Sequence, residues 1–201
     1  MSAYLPDDLA LSVTYIPETD STYAVVYGCA RFQMEEIRER IRRAGDQVEH
    51  PLLMIGILAE MERQRLVDLV DDLLDNFTLR SDHLENGVWN PETEMDSSKA
   101  QESLKLCFKS QNLADHIRSV KRQLSKVLTG IDTLRETLTS GTLLERHSLD
   151  PSRMYRLESV GNHMKQRIQD IMIEYSDKMD ECDMLISNTS LAMQTVRTYS
   201  T

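Results

Sequence analysis

The chain has 201 residues, a formal net charge of −10 from 33 acidic and 23 basic side chains, 40% hydrophobic residues and only 5% aromatic ones. This length points to one domain, or to one domain with an elongated extension, and the apolar fraction excludes wholesale disorder. An acidic surface repels a phosphate backbone, so nucleic acid is not expected as a partner, and a core with so few aromatics must be aliphatic, drawn from Leu, Ile, Val and eleven Met.

In chain order, Met1 to Asp8 has acid where a signal peptide needs base and an apolar stretch, so an intracellular, cytoplasmic protein is expected. Residues 11–27 read as a β-hairpin. Leu11, Val13 and Tyr15 alternate on the first strand and Tyr23, Val25 and Tyr27 on the second, with Pro17, Asp20 and Ser21 as turn formers. A short charged helix from about Arg31 to Ala44 follows, with a thin apolar stripe of Phe32, Ile37 and Ile41, and Gly45 stops it. Its Arg38, Arg40, Arg42 and Arg43 interleave with Glu35, Glu36 and Glu39, which describes a solvated face and not a basic patch.

A longer helix starts near Pro51, a residue suited to a first turn. Ile55, Ala59, Leu66, Leu69, Val70, Leu73 and Phe77 recur at helical spacing, to about Leu79 or a little further. Asn86-Gly87, Asn90-Pro91 and Asp96-Ser97-Ser98 then mark a loop.

Ser98, with Gln101 three residues on, has the form of a capping box opening a helix over 98–139. Leu113, Ile117, Val120, Leu124, Val127, Ile131, Leu134 and Leu138 then alternate spacings of four and three without a polar intrusion, a coiled-coil-type seam. Gly141 breaks this helix, and Asp150-Pro151 starts a second over 151–198. There the same period runs through Leu157, Gly161, Met164, Ile168, Ile171, Tyr175, Lys178, Cys182, Leu185, Thr189, Ala192 and Val196, weakened at Gly161, Lys178 and Thr189.

Two seams of equal period joined by a short loop predict an antiparallel helical hairpin, each arm about 60 Å long at ~1.5 Å per residue. The expected fold is mainly α: this long coiled-coil-like hairpin, shorter helices and a minor N-terminal β-hairpin. Residues 1–95 would hold the β-hairpin and shorter helices, and 96–201 the long hairpin, as one continuous structural unit. Replacing Leu124 and Ile131 together by Asp is expected to melt the pair, read by circular dichroism as lost helicity and a lowered melting temperature.

Few residues suggest chemistry. Cys29, Cys107 and Cys182 are too far apart for a disulfide framework or a zinc site. No two of His50, His83, His116, His147 and His163 lie three or four residues apart, and no phosphate-cradling, dinucleotide or nucleophile-elbow string is present. No cofactor is expected. Asp68, Asp71, Asp72 and Asp75 share a helix face, to be read either as a weak Mg²⁺ or Ca²⁺ site, since hard cations take carboxylate oxygens, or as a solvated surface. Asp177, Asp180, Glu181 and Asp183 admit the same two readings. Six methionines between Met154 and Met193 are either an adaptable partner surface or gap-fillers in an aliphatic core. The longest uncharged apolar run, Pro51 to Ala59, is far short of the ~20 residues a membrane helix needs.

The run from His50 and Pro51 through Leu52 and Leu53 to Glu60, Glu62, Arg63 and Arg65 resembles a stretch of the fungal CorA-like magnesium transporter family. Tyr15 to Gly28 resembles the N-terminal part of those proteins, and Lys178 to Met184 the end of their long stalk helix. The resemblance implies the soluble, cytoplasmic, partly α/β domain, with a long helix descending toward a membrane. The two transmembrane segments and the Gly-Met-Asn signature of the family are not in this sequence, which ends at Thr201 near where they would be expected. Such a piece would not transport alone. Three readings follow: a regulatory or assembly module of the CorA-like kind, a pore-less helical interaction or scaffold protein, and an enzyme on a helical scaffold. For the first two, self-association or a partner helix is the expected contact.

Overall fold

The computed structural model describes residues 9–16, 19, 21–85, 94–139 and 151–199. The order is β1 (Ala10–Ile16), β2 (Ser21–Tyr27), α1 (Arg31–Arg43), a 3-10 turn (Gly45–Glu49), α2 (Leu53–Glu85), α3 (Glu94–Thr139) and α4 (Pro151–Tyr199). The protein is mainly helical with a small β-hairpin, and α3 and α4 pack as an antiparallel helical hairpin. Pro17, Asp20, Asn86, Gly87, Asn90, Pro91, Gly141 and Asp150, read above as turn and cap residues, lie outside the described residues.

One boundary differs from expectation. α3 begins at Glu94, so Ser98 is inside the helix and does not cap it. No Gly or Pro stands between Pro91 and Ser98 to stop the helix extending backward, and acidic residues such as Glu94 and Asp96 suit a helix N-terminus.

The chain forms two compact units, each drawing on α2, α3 and α4. The first unit comprises Met1–Arg63 with Lys121–Ile173. In it β1 and β2 pair antiparallel, Leu11 opposite Val26, Val13 opposite Ala24 and Tyr15 opposite Thr22. Leu11, Val13 and Tyr15 are half-buried, whereas Tyr23, Val25 and Tyr27 are exposed. The two alternating sets therefore occupy opposite faces, because the antiparallel register puts Tyr23, Val25 and Tyr27 beside Thr14, Ser12 and Ala10. Leu11 and Val26 pack on Ile37 of α1 and on Ile57, Leu58 and Met61 of α2, together with Leu9, Cys29 and Ile41.

On α1 the stripe is corrected at one position. Phe32 is exposed, and Gln33 is buried with Ile37. Phe32 and Ile37 are five residues apart, about 140° around a helix, whereas Gln33, Ile37 and Ile41 are four apart and line one side. Gln33 can be buried because its Oε1 accepts the Ala30 N–H at 2.8 Å, satisfying a free donor at the helix start. The charged face is solvated, with Arg40 paired to Glu36 and Arg42 to Glu39. Gly45 ends the helix at φ 53°, a left-handed conformation that suits glycine.

Also in this unit, Lys165 of α4 donates to Asp132 of α3 at 2.7 Å and Arg135 of α3 donates to Glu158 of α4 at 2.6 Å. One partner number rises as the other falls, the signature of antiparallel helices. α2 and α4 instead rise together. A Cβ on Gly56 would lie 2.7 Å from Cε of Met164, and Glu60 pairs with Arg167. The α3–α4 pair thus has a third helix against it, which the seam alone did not announce.

The second unit comprises Gln64–Val120 with Glu174–Thr201. Leu66 and Val70 of α2, Ser110, Ala114 and Ile117 of α3, and Tyr175, Cys182 and Leu185 of α4 are all fully buried. Lys178 of α4 donates to Asp71 of α2 at 2.7 Å, an offset of 107 residues. Arg65 of α2 meets His116 of α3 at 3.3 Å.

Of the predicted seam, Leu113, Ile117, Leu124 and Ile131 are buried, and Val120, Val127 and Leu134 are half-buried. The side chain of Leu138 lies outside the described residues, as do those of Ala192 and Val196. Each buried aliphatic contributes roughly 1.5–3 kcal/mol, most of it offset by the conformational entropy lost on folding.

Candidate functional site

The weak points of the α4 seam are where its side chains engage neighbours most specifically. Lys178 stands in line with Tyr175 and Cys182, and its side chain is only 15% exposed. The ammonium donates to Asp71 of α2 at 2.7 Å and to Glu181, one turn along α4, at 2.8 Å. Burial lowers its proton affinity, but the two carboxylates outweigh that and hold its pKa above the usual lysine value. The aliphatic stem stays in the seam while the charged head reaches its edge. Thr189 is buried because its hydroxyl donates to the Leu185 carbonyl at 2.7 Å, and Ser110 bonds Leu106 in the same way at 3.1 Å.

Gly161 marks the third weak point. A Cβ there would sit 3.5 Å from Nε2 of His50. His50 is 5% exposed. Its Nδ1 accepts the Leu52 N–H at 3.1 Å, and a further hydrogen bond ties the ring to the Leu157 backbone of α4. With Nδ1 accepting, the proton sits on Nε2 in this neutral tautomer. Burial lowers the pKa, only partly opposed by the Leu157 bond. His50 thus fastens the start of α2 to α4. The sequence offered it only as one of five scattered histidines, and the signal that it does something local is Pro51 beside it at a helix start.

Glu60 is the second polar contact between α2 and α4 in this unit. It accepts from Arg167, with Nη2 to Oε2 at 3.0 Å, and from Nε of Arg63 at 2.9 Å. Burial raises its pKa, but the two guanidinium groups overcome this and leave it below the ordinary glutamate value. Glu60 and Arg63 of α2 thus form a three-residue cluster with Arg167 of α4.

The acidic residues singled out as a cation site are differently disposed. Asp68, Asp71, Asp72 and Asp75 are all exposed on α2. Asp68 accepts from Gln64 at 2.7 Å, and Asp71 is held by Lys178. Among Asp177, Asp180, Glu181 and Asp183, Glu181 is bound to Lys178 and the three aspartates are exposed. Among the described residues, no group of three or more His, Cys, Asp or Glu side chains is arranged to hold a metal ion. Cys182 is fully buried and its thiol is pushed up to about 11 by burial and by the neighbouring Asp183 and Glu181, which leaves almost no thiolate at neutral pH.

The seam residues converge, then, into packed helix interfaces, and Asp71, Asp132, Glu60 and Glu158 form ion pairs between helices with Lys178, Lys165, Arg167 and Arg135. Among the described residues, no helix is long and apolar enough to cross a membrane. Comparison with protein-family models, with curated proteins and with solved structures finds no match to this chain.

Proposed function

We propose that this chain is a non-catalytic, cytoplasmic helical module resembling the soluble part of a CorA-like divalent-cation transporter, with a role in regulation or assembly and no capacity to transport alone. The observation that carries the reading is the α3–α4 hairpin, whose two helices of 46 and 49 residues suit mechanical coupling and assembly better than the lining of a reactive cleft. The segment behind the resemblance, residues 50–67, supports it in a second way. Its His50, Glu60 and Arg63 are engaged in fixing α2 onto α4, a framework role.

Cation sensing is tested by thermal melting with and without millimolar Mg²⁺, at matched ionic strength, on the chain and on the quadruple Asp→Asn variant at 68, 71, 72 and 75. A rise in melting temperature lost in the variant supports sensing by α2, and no rise counts against it. The family reading is tested by the gene's reading frame beyond Thr201, where two apolar spans would support it.

A second reading, a pore-less scaffold that docks a partner helix, is favoured by Leu104 and Phe108. They stand four residues apart on α3 and are 42% and 66% exposed. Light scattering of the chain with Phe108→Glu alongside separates association through this face from association elsewhere.

A further inference from the structure

Among the described residues, β2 pairs with a strand on one side only, that of β1. Among the described residues the sheet has only two strands, and two strands alone are marginal in water. Leu11 of β1 and Val26 of β2 pack on the α1–α2 cluster. The rest of β2 is open: Thr22, Tyr23, Ala24, Val25 and Tyr27 are all exposed, and Ser21 is half-buried. Natural edge strands are commonly blunted by lysine, proline or a bulge. β2, with the sequence STYAVVY, has no charged residue and no proline, and its register with β1 runs without a bulge.

Charge and symmetry select the occupant. The chain carries a net −10, so two copies repel over most of their surface. From Leu9 to Ala30 the only charged residues are Glu18 and Asp20, both in the connection between the strands. The edge of β2 is thus a place where a second copy meets no like charge. β2 is also complementary to itself. Set antiparallel about a two-fold axis through Ala24, its midpoint, all seven residues pair. Tyr23 then faces Val25 of the second copy, Thr22 faces Val26, and Ser21 faces Tyr27. Because the axis passes through a residue, the Tyr23, Val25 and Tyr27 set stays on one face of the combined sheet, where aromatic and β-branched cross-strand pairs stabilise it. A two-fold pairing of this kind closes on itself.

We propose that β2 is a homodimerisation edge, joining two copies of this chain into a four-stranded antiparallel sheet centred on Ala24. This names a surface and a partner for the assembly role proposed above and rests on that reading for its purpose. A strand edge is smaller than the ~1,600 Å² of a standard interface, so the dimer is weak and concentration-dependent.

The test is sedimentation of the full chain from low micromolar to near-millimolar concentration, with Val25→Lys and Phe108→Glu in parallel and helicity checked by circular dichroism. The expected result is a mass rising toward two chains, unchanged by Phe108→Glu and returned to one chain by Val25→Lys with helicity intact. A chain that stays monomeric throughout overturns the proposal. So does a dimer that survives Val25→Lys and is lost with Phe108→Glu, an outcome that leaves the assembly reading standing. Should Val25→Lys unfold the hairpin, Ala24→Cys decides. Directly opposed strand residues lie within disulfide range, so the introduced thiols should link two copies to each other under mild oxidation, as located by peptide mass. Absence of that link overturns the pairing.

Discussion

In the unit of Gln64–Val120 and Glu174–Thr201, Leu66, Val70, Ala114, Ile117, Tyr175 and Leu185 are fully shielded from solvent. In the unit of Met1–Arg63 and Lys121–Ile173, Ile168 and Ile171 are almost as dry, at 2% and 1%, whereas Ile37, Ile57, Leu58, Leu124 and Ile131 retain between 6% and 8% exposure. The sequence pattern does not separate them: one aliphatic spacing runs along α3 from Leu113 and Ile117 into Leu124, Val127, Ile131 and Leu134, yet Val127 and Leu134 are only half-buried. The deeper core accepts Ser110, Cys182 and Thr189. Dryness therefore follows from how completely neighbouring helices surround a position and less from how apolar its own stripe is. A hydroxyl bonded to its own helix costs little there.

Core truncation gives the largest way to break this comparison. Leu66→Ala is expected to cost roughly 3–5 kcal/mol and Leu124→Ala roughly 2–3 kcal/mol, because a fully enclosed site relaxes less around its cavity. Urea unfolding of both variants checks the order, and equal or reversed losses would refute it. Next comes Lys178. Lys178→Ala removes the shared partner of Asp71 and Glu181 and should cost about 1–2 kcal/mol. Lys178→Met keeps the stem in the seam and should stay within about 1 kcal/mol of the parent chain. A larger loss for Met than for Ala would show that the charge, and not the packing, holds this position.

Acid should weaken the first unit through His50. Its folded pKa lies below the ordinary value of 6.5, so the neutral form is the one folding prefers. The corresponding stability is complete above 6.5 and is lost as the pH falls below it. Proton uptake at Nδ1 also sets a new N–H against the Leu52 N–H that now donates to it. The melting temperature is expected to fall by a few degrees on mild acidification, and the fall to be smaller in His50→Gln. Glu60 has the same sign at lower pH, with its contribution lost as the pH falls below 4.5. An equal acid response in His50→Gln would remove His50 from this account.

The smallest effect sharpens the comparison between two helical glycines. A Cβ at Gly130 meets nothing within 4 Å, so Gly130→Ala should stabilise the chain by about 0.5–1 kcal/mol through helix propensity alone. Gly56→Ala has the same propensity gain but must displace the end of Met164 and should gain less. Parallel thermal melts of the two variants order them.

Much of this architecture was legible before any coordinates. Seven of the eight seam residues from Leu113 to Leu134 are buried or half-buried, and Ile168, Ile171, Tyr175, Cys182 and Leu185 of α4 are buried as the period requires. The hairpin strands sit where alternation placed them. The role of α2 was harder to read. Its buried set includes the consecutive Ile57, Leu58 and Ala59 and then Met61, which no single helical stripe predicts. Lys178, Gly161 and Thr189 looked like defects because periodicity scores a position by its own polarity and takes no account of a carboxylate, an imidazole or a carbonyl within reach.

The sequence by itself determined the order of the helices, the antiparallel return of α4 on α3, and most of the positions on each that turn inward. These follow from local spacing and from chain breakers, which act within a few residues. Only the tertiary structure decided that α2 lies against the pair, that His50 closes over Gly161, and that Lys178 meets Asp71 from 107 residues away. Such contacts join segments far apart in the chain, and a repeat of three and four residues identifies a face but not the neighbour that covers it.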